Sequence, residues 1–567
     1  MARGSPAASC AAHGATGSSA NAAATMLDRI RPPGPIASPR PTLLRILSCY
    51  PGPKRKAGMR PPRPRVTLSA SPPGGEPMTI AETTSGPVEG RSRDGVLLFA
   101  GIPYAAPPTG ANRFRPPQPV ESWREPRPAK RFGPAAPQTP TGGLTASTPV
   151  NWDEDCLTLN VTTPAADDAG RPVLFWIHGG GYRTGQGAIP WYNGARFASR
   201  GDLVVVSINY RLGAFGFTDL SAFGGEFATS GANGLLDQIQ ALQWVQDNIR
   251  AFGGDPARVT IAGESAGAFA VSTLLASPMA RGLFRAAIPQ SGGAHHTLPP
   301  AAGRLVAERL LAQLGADGPG DLQAVPAERL LEAQNAVAAE FGDGPRTLEA
   351  FGAAVPAFYP VEGNAVIPVP PIEAIRQGAS QGIPVLTGTN RHETTLWGYG
   401  ETDDERLARF AARYGAASTL PVYRANRPGA SAPELQIAFT TDHMFRLPAI
   451  RLLEARDGQP DTPGWLYWFC WESRAFEGRL RATHALEIPF VFDNLDRPGV
   501  DVFLGPGERP QAVADAMHRH WIDFVRDLDP GWKPYELDDR ATMRFDDEST
   551  LVHDPDGAER AAWDGLR

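Results

Sequence analysis

Three features of the chain predict an α/β fold built on a large, mostly parallel sheet. From Thr79 onward, short apolar or β-branched runs alternate with helix-like stretches. The runs PVLFWI at 172–177, LVVVSI at 203–208 and VTIA at 259–262 are nearly continuous in apolar character, as strands buried on both faces must be. Between the last two, LLDQIQALQWVQDNI at 235–249 places apolar residues at helical spacing, which completes a strand-helix-strand unit.

Taken in order, the first element is a tail. Residues 1–77 begin Ala/Ser/Gly/Pro-rich and continue PPGPIASPRP and PGPKRKAGMRPPRPRV, a composition that cannot bury enough apolar surface to offset chain entropy. The segment is expected to be a disordered, basic, Pro-rich extension. It carries eleven Lys/Arg against Asp28 and Glu76, so the net charge of −6 conceals a distinctly acidic body. Such a body offers no basic face for nucleic acid. The run at 43–49 (LLRILSC) is too short and too interrupted by Arg45 for a secretion signal. Met26, Met59 and Met78 are alternative starts, and Met78 immediately precedes the folded pattern. The expected domain is 78–567.

At 567 residues, 42% apolar and 20% charged, the chain has ample material for a large core. No apolar run approaches the roughly 18 residues of a membrane span. Cys10, Cys49, Cys156 and Cys470 lie far apart without a C-x-x-C pair, which argues against zinc, iron-sulfur and dithiol chemistry. After residue 295, amphipathic stretches alternate with Pro/Gly-rich loops, as expected of a long insertion over the catalytic edge. A helix is expected over 520–525, followed by an irregular Pro-rich tail.

The chemistry is concentrated in two segments. GESAG at 263–267 follows the strand at 259–262 and precedes a helix-competent run at 269–275, the setting of a nucleophile elbow with Ser265 at its apex. HGGG at 178–181 follows the strand at 172–177. Glycines there expose backbone N–H donors, and those of Gly180, Gly181 and Ala266 are the candidate oxyanion hole.

These segments, together with FAGIPYA at 99–105, EDCL at 154–157, NYRLG at 209–213 and NGLLDQ at 233–238, resemble the type B carboxylesterase family, over roughly residues 80 to 550. That family includes cholinesterases and bacterial para-nitrobenzyl esterases. The resemblance implies an α/β-hydrolase fold, a central mostly parallel sheet flanked by helices with long helical insertions over the catalytic edge. It also implies a serine esterase without cofactor or metal, acting on small or aromatic esters. GTNRHE at 388–393 matches the family's acid segment and THALEIPF at 483–490 its histidine segment, which implies Glu393 as acid and His484 as base. The residues alone could not select these from 60 acidic side chains and ten histidines. His392, His443, His518 and His520 are read as structural. Glu264 is implied to add negative potential near the imidazolium, and Ser291 to pack or hydrogen-bond beside the site.

Family members from eukaryotes pair the EDCL cysteine with one upstream, where this chain reads FGPAAPQ at 132–138. Cys156 is therefore expected to be a free buried thiol in a reducing cytoplasm. Amide, carbamate and thioester hydrolysis share the machinery, and a catalytically silent binding protein shares the fold. Trp397, Phe445, Trp468 and Phe490 are candidates for an aromatic pocket or for plain core. The expected partner is a small ester; the oligomeric state is not legible.

Overall fold

The computed structural model describes residues 79–139, 150–341, 357–398 and 400–566. The expectation for the tail at 1–77 lies outside them. The architecture is an eleven-stranded sheet whose strands, in chain order, are β1 (Arg91–Arg93), β2 (Val96–Pro103), β3 (Thr158–Thr163), β4 (Arg171–Ile177), β5 (Val204–Ile208), β6 (Gly254–Glu264), β7 (Ala286–Gln290), β8 (Val385–Asn390), β9 (Gly464–Phe469), β10 (Ala541–Phe545) and β11 (Thr550–His553). Their spatial order is β11-β10-β9-β8-β7-β6-β4-β5-β3-β2-β1. Every pairing from β5 across to β10 is parallel, and the flanking pairs are antiparallel. A small separate sheet joins Ile80–Thr83, Gly86–Glu89 and Arg127–Pro128.

Period-2 alternation explains how the sheet divides two cores. In β4, Val173, Phe175 and Ile177 point into one apolar cluster while Leu174 and Trp176 point into the other. Helices α1 (Ala195–Gly201) and α2 (Asn233–Asn248), which carry the chain from β4 to β5 and from β5 to β6, lie on opposite faces. Phe197 of α1 joins the Trp176 side and Leu235, Leu242 and Val245 of α2 join the Phe175 side. Strand order therefore reverses around β4, and in open α/β sheets such a switch point, beyond the carboxyl ends of the strands, is where ligands bind. Burying each such large aliphatic side chain contributes about 1.5–3 kcal/mol.

Two helical insertions interrupt the sheet order, one between β7 and β8 and one between β8 and β9. The second builds its own small core from Leu407, Tyr423, Phe439 and Leu447, closed by Trp563 from the far end of the chain. The end of the chain differs from its expectation. Instead of an irregular tail after a short helix, the helix runs Gln511–Asp527, and then β10, β11 and the helix Gly557–Ala562 follow. β11 is only four residues long and mostly exposed, so pairing with its neighbour identifies it.

Candidate active site

Ser265 stands where β6 ends and helix α3 (Ala266–Ala276) begins, with φ 56° and ψ −123°. A non-glycine residue held there stores strain of about 1–3 kcal/mol, which the surrounding contacts must sustain. The contacts are visible at its two flanking glycines. A Cβ on Gly263 would lie 2.6 Å from the Ile177 carbonyl oxygen, and one on Gly267 only 2.1 Å from it. The turn can press against β4 only because both positions lack side chains. Ser265 N–H donates to Gln290 O at 3.0 Å, and Phe269 N–H to Ser265 O at 2.9 Å, fixing the apex from both sides.

The HGGG loop continues from β4 and lies against this turn: a Cβ on Gly179 would be 3.0 Å from Ser265 Cβ. Its peptide orientation follows from which carbonyls are held. Gly180 O accepts from the N–H groups of Arg183 (3.1 Å) and Thr184 (3.0 Å) and from Thr184 Oγ1 (3.2 Å). Because a trans peptide is planar, the Gly181 N–H points the opposite way. Likewise His178 Nδ1 lies 2.9 Å from Gly179 O, so that nitrogen carries the proton and the Gly180 N–H is turned away from its own chain. Burial lowers His178 to about 4, keeping the ring neutral, and it stacks on Tyr210, whose hydroxyl donates to His178 O at 2.9 Å.

Glu393 follows β8 and His484 follows β9. The two loops are clamped by His484 N–H to Glu393 O (3.1 Å), His392 N–H to Ala482 O (2.9 Å) and Thr395 Oγ1 to Leu480 O (2.6 Å). Inside this clamp His484 Nδ1 sits 2.6 Å from Glu393 Oε2, and Glu393 Oε1 accepts from the Asn390 N–H at 2.8 Å. On its other edge, His484 Nε2 lies 3.1 Å from Glu264 Oε1. Burial disfavours the imidazolium, but the carboxylates of Glu264 and Glu393 together outweigh it and raise His484 to about 9. Burial pushes the Glu264 carboxyl above the usual carboxylate range, against the opposing pull of the His484 imidazolium.

Ser291 is fully buried beside the elbow, since Gln290 pairs with Glu264 in register and Ser291 N–H donates to Gly388 O at 2.8 Å. Its hydroxyl has no hydrogen-bond partner among the described residues. Of the aromatic candidates, Trp397 and Phe445 flank the His484 ring at 5.2 and 4.7 Å. Trp468 instead lies under Arg391 and Phe490 packs on Phe469 and Trp471 in the core. Cys156 is a free buried thiol, as is Cys470. Among the four histidines read as structural, His518 and His520 contact the carbonyls of Val491 and Pro530.

Sequence reading missed a buried network behind His484. Asn390 Nδ2 donates to Thr483 O and to Glu487 Oε2, both at 2.6 Å; Gln290 Nε2 reaches Glu487 Oε1 at 3.2 Å, and Trp521 Nε1 donates to Gln290 Oε1 at 3.0 Å. Burial and the nearby Glu393 raise Glu487 to about 7, with Asn390 opposing. Asn390 and Glu487 both stood in the quoted motifs, but their 97-residue separation left no local signal of the contact.

A family model described as "Carboxylesterase family" matches residues 77–563. The chain is 38% identical over 507 residues to phenmedipham hydrolase of Pseudarthrobacter oxydans, covering 85% of this chain and 96% of that protein. It is 36% identical over 492 residues to para-nitrobenzyl esterase of Bacillus subtilis, covering 85% and 97%. A crystal structure of a Geobacillus stearothermophilus carboxylesterase at pH 6.2 superimposes with a TM-score of 0.75 at 39% identity, covering 86% of this chain and 100% of that one. No helix among the described residues is long and apolar enough to cross a membrane. The reversal of strand order around β4, the serine elbow beyond β6 and the family match together make this chain a member of the carboxylesterase family, a serine hydrolase of carboxylic esters on the α/β-hydrolase fold.

Proposed function

We propose that Ser265 is the nucleophile, His484 the general base and acid, Glu393 the residue that orients the imidazole, and the N–H groups of Gly180, Gly181 and Ala266 the oxyanion hole. The observation that carries this reading is the 2.6 Å contact between His484 Nδ1 and Glu393 Oε2, with His484 Nε2 3.1 Å from Oε1 of Glu264, the residue before Ser265. His484 Nε2 takes the Ser265 proton as Oγ adds to the ester carbonyl, and the carbonyl electron pair moves onto oxygen, where the three N–H groups receive it. Collapse expels the alkoxide with a proton from His484 and leaves an acyl-enzyme. Water, deprotonated by His484, then adds to that acyl group and releases the acid. Glu264 and Ser291 adjoin the reacting groups: Glu264 stabilises the imidazolium, and Ser291 supports the turn.

The substrates we propose are small esters and esters bearing an aromatic group, supported by the half-exposed Trp397 beside His484. Residues 78–567 form the catalytic domain in this reading and 1–77 an extension that takes no part in the chemistry. The buried free thiols fit the reducing cytoplasm, which cell fractionation checks.

The test is hydrolysis of para-nitrophenyl acetate and butyrate by the protein and by Ser265→Ala. The variant is expected to lose on the order of 10⁶-fold in kcat. Equal activity in both would mean the nucleophile lies elsewhere, and a silent protein would mean the fold serves binding alone.

A further inference from the structure

The helix that carries Phe445 is not a regular α-helix. Ala432–Thr441 and Leu447–Glu454 are joined without interruption by a five-residue π-turn, Asp442–Arg446. Such a turn is rare, occurs mostly as a single-turn insertion within an α-helix, and is frequent at functional sites. Here its two sides do different things. Toward the site, Phe445 is 1% exposed with its ring 4.7 Å from that of His484, and Met444 beside it is 38% exposed. Trp397, parallel to Phe445 within 1° and 6.2 Å away, completes an apolar wall around the base.

Away from the site, Asp442 and Arg446 form a buried bidentate pair at 2.5 and 2.9 Å. Tyr423 donates its hydroxyl hydrogen to Asp442, Trp563 Nε1 donates to Tyr423 OH at 2.8 Å, and Arg446 Nη1 donates to Pro555 O at 3.0 Å. A buried ion pair is seldom more stabilising than an apolar pair of the same volume, and its best-attested use is to fix register. Tied on three sides, this one fixes which residues of the turn face His484.

Resting on the assignment of Ser265, His484 and Glu393, we propose that the π-turn is a specificity device. Phe445 is the residue that contacts the aromatic group of the ester, and the Asp442–Arg446 pair, anchored through Tyr423 to the C-terminal segment, is the positioning element that aims it.

The experiment compares kcat and KM for phenyl acetate, methyl benzoate and ethyl acetate. In Phe445→Ala, the kcat/KM of at least one aryl ester relative to ethyl acetate should fall about tenfold, mainly through KM. Phe445→Tyr should retain the ratio, and Phe445→Leu carries the same comparison if the alanine variant does not fold. A loss confined to phenyl acetate puts the contact on the leaving group, and one confined to methyl benzoate puts it on the acyl group. Tyr423→Phe, which touches no substrate, should lower the same ratio about threefold by loosening the turn. Ratios within twofold of the parent in Phe445→Ala would overturn the proposal. So would a Tyr423→Phe variant that lowers kcat equally for all three esters, because that is damage to the triad and not to aim. The underlying assignment has its own arm: Ser265→Ala must abolish all three activities, and retained activity there would refute the site itself.

Discussion

His484 lies between two buried carboxylates, and the pH dependence of activity follows from that placement. In the proposed mechanism His484 must be neutral to accept the Ser265 proton, whereas the adjacent Glu264 and Glu393 raise its pKa to about 9 against the cost of burial. Activity, as kcat/KM, is therefore expected to rise with pH through the alkaline range. In Glu264→Gln one of the two charges that raise the pKa is gone, so the rising limb should move to lower pH by about 1 to 3 pH units. A kcat/KM profile of both proteins on para-nitrophenyl acetate checks this, and an unmoved limb would mean that Glu264 does not govern the proton. At this scale, elbow and loop glycines were legible in sequence because a tight turn after an apolar run demands them. Glu487 was not, because a buried carboxylate is distinguishable from a surface one only by what surrounds it.

The elements place these residues through close backbone packing. Gly267 opens α3 directly against the last residue of β4, and a methyl group there has nowhere to go but into the Ile177 carbonyl oxygen. Gly267→Ala is expected to lower stability by about 1–3 kcal/mol, read from the denaturant midpoint. It should also depress kcat, since the same displacement shifts Ser265 relative to the Gly180 and Gly181 N–H groups. The strands β4, β5 and β6 and helix α2 were readable from apolar runs and helical spacing because both faces of the central sheet are covered. β11 and the π-turn were not. The first is four residues long and mostly exposed, and the second keeps a helical composition while changing only the winding.

Across the molecule, long-range polar ties hold distant segments to the sheet. The pair Arg211–Asp237, 2% and 0% exposed in its side chains, joins the loop after β5 to helix α2 at 2.6 Å, and Arg211 also donates to Arg115 O at 2.7 Å. Asp237→Ala would strand a buried guanidinium, and its expected cost is about 3–5 kcal/mol. Urea unfolding measures it, and a loss below 1 kcal/mol would show that solvent reaches Arg211. The C-terminal segment makes a comparable tie through Trp563 to the third core and through Pro555 to the π-turn. Pro555 and Trp563 thereby hold the segment that carries Phe445.

What the chain determined by itself was local: strand and helix type in the central unit, the serine elbow and the glycine-rich donor loop. These follow from side-chain period and from turns that only glycine permits, which neighbours along the chain suffice to express. Glu393 and His484 were picked out by motif resemblance, and their contact belongs to the tertiary structure, where parallel strands bring residues 91 positions apart to 2.6 Å. The same holds for the Glu264 carboxyl at His484 Nε2, the network behind His484 and the contact of Phe445 with His484. Each depends on burial and on partners from other strands, and a contact between distant segments leaves no periodic trace in either one.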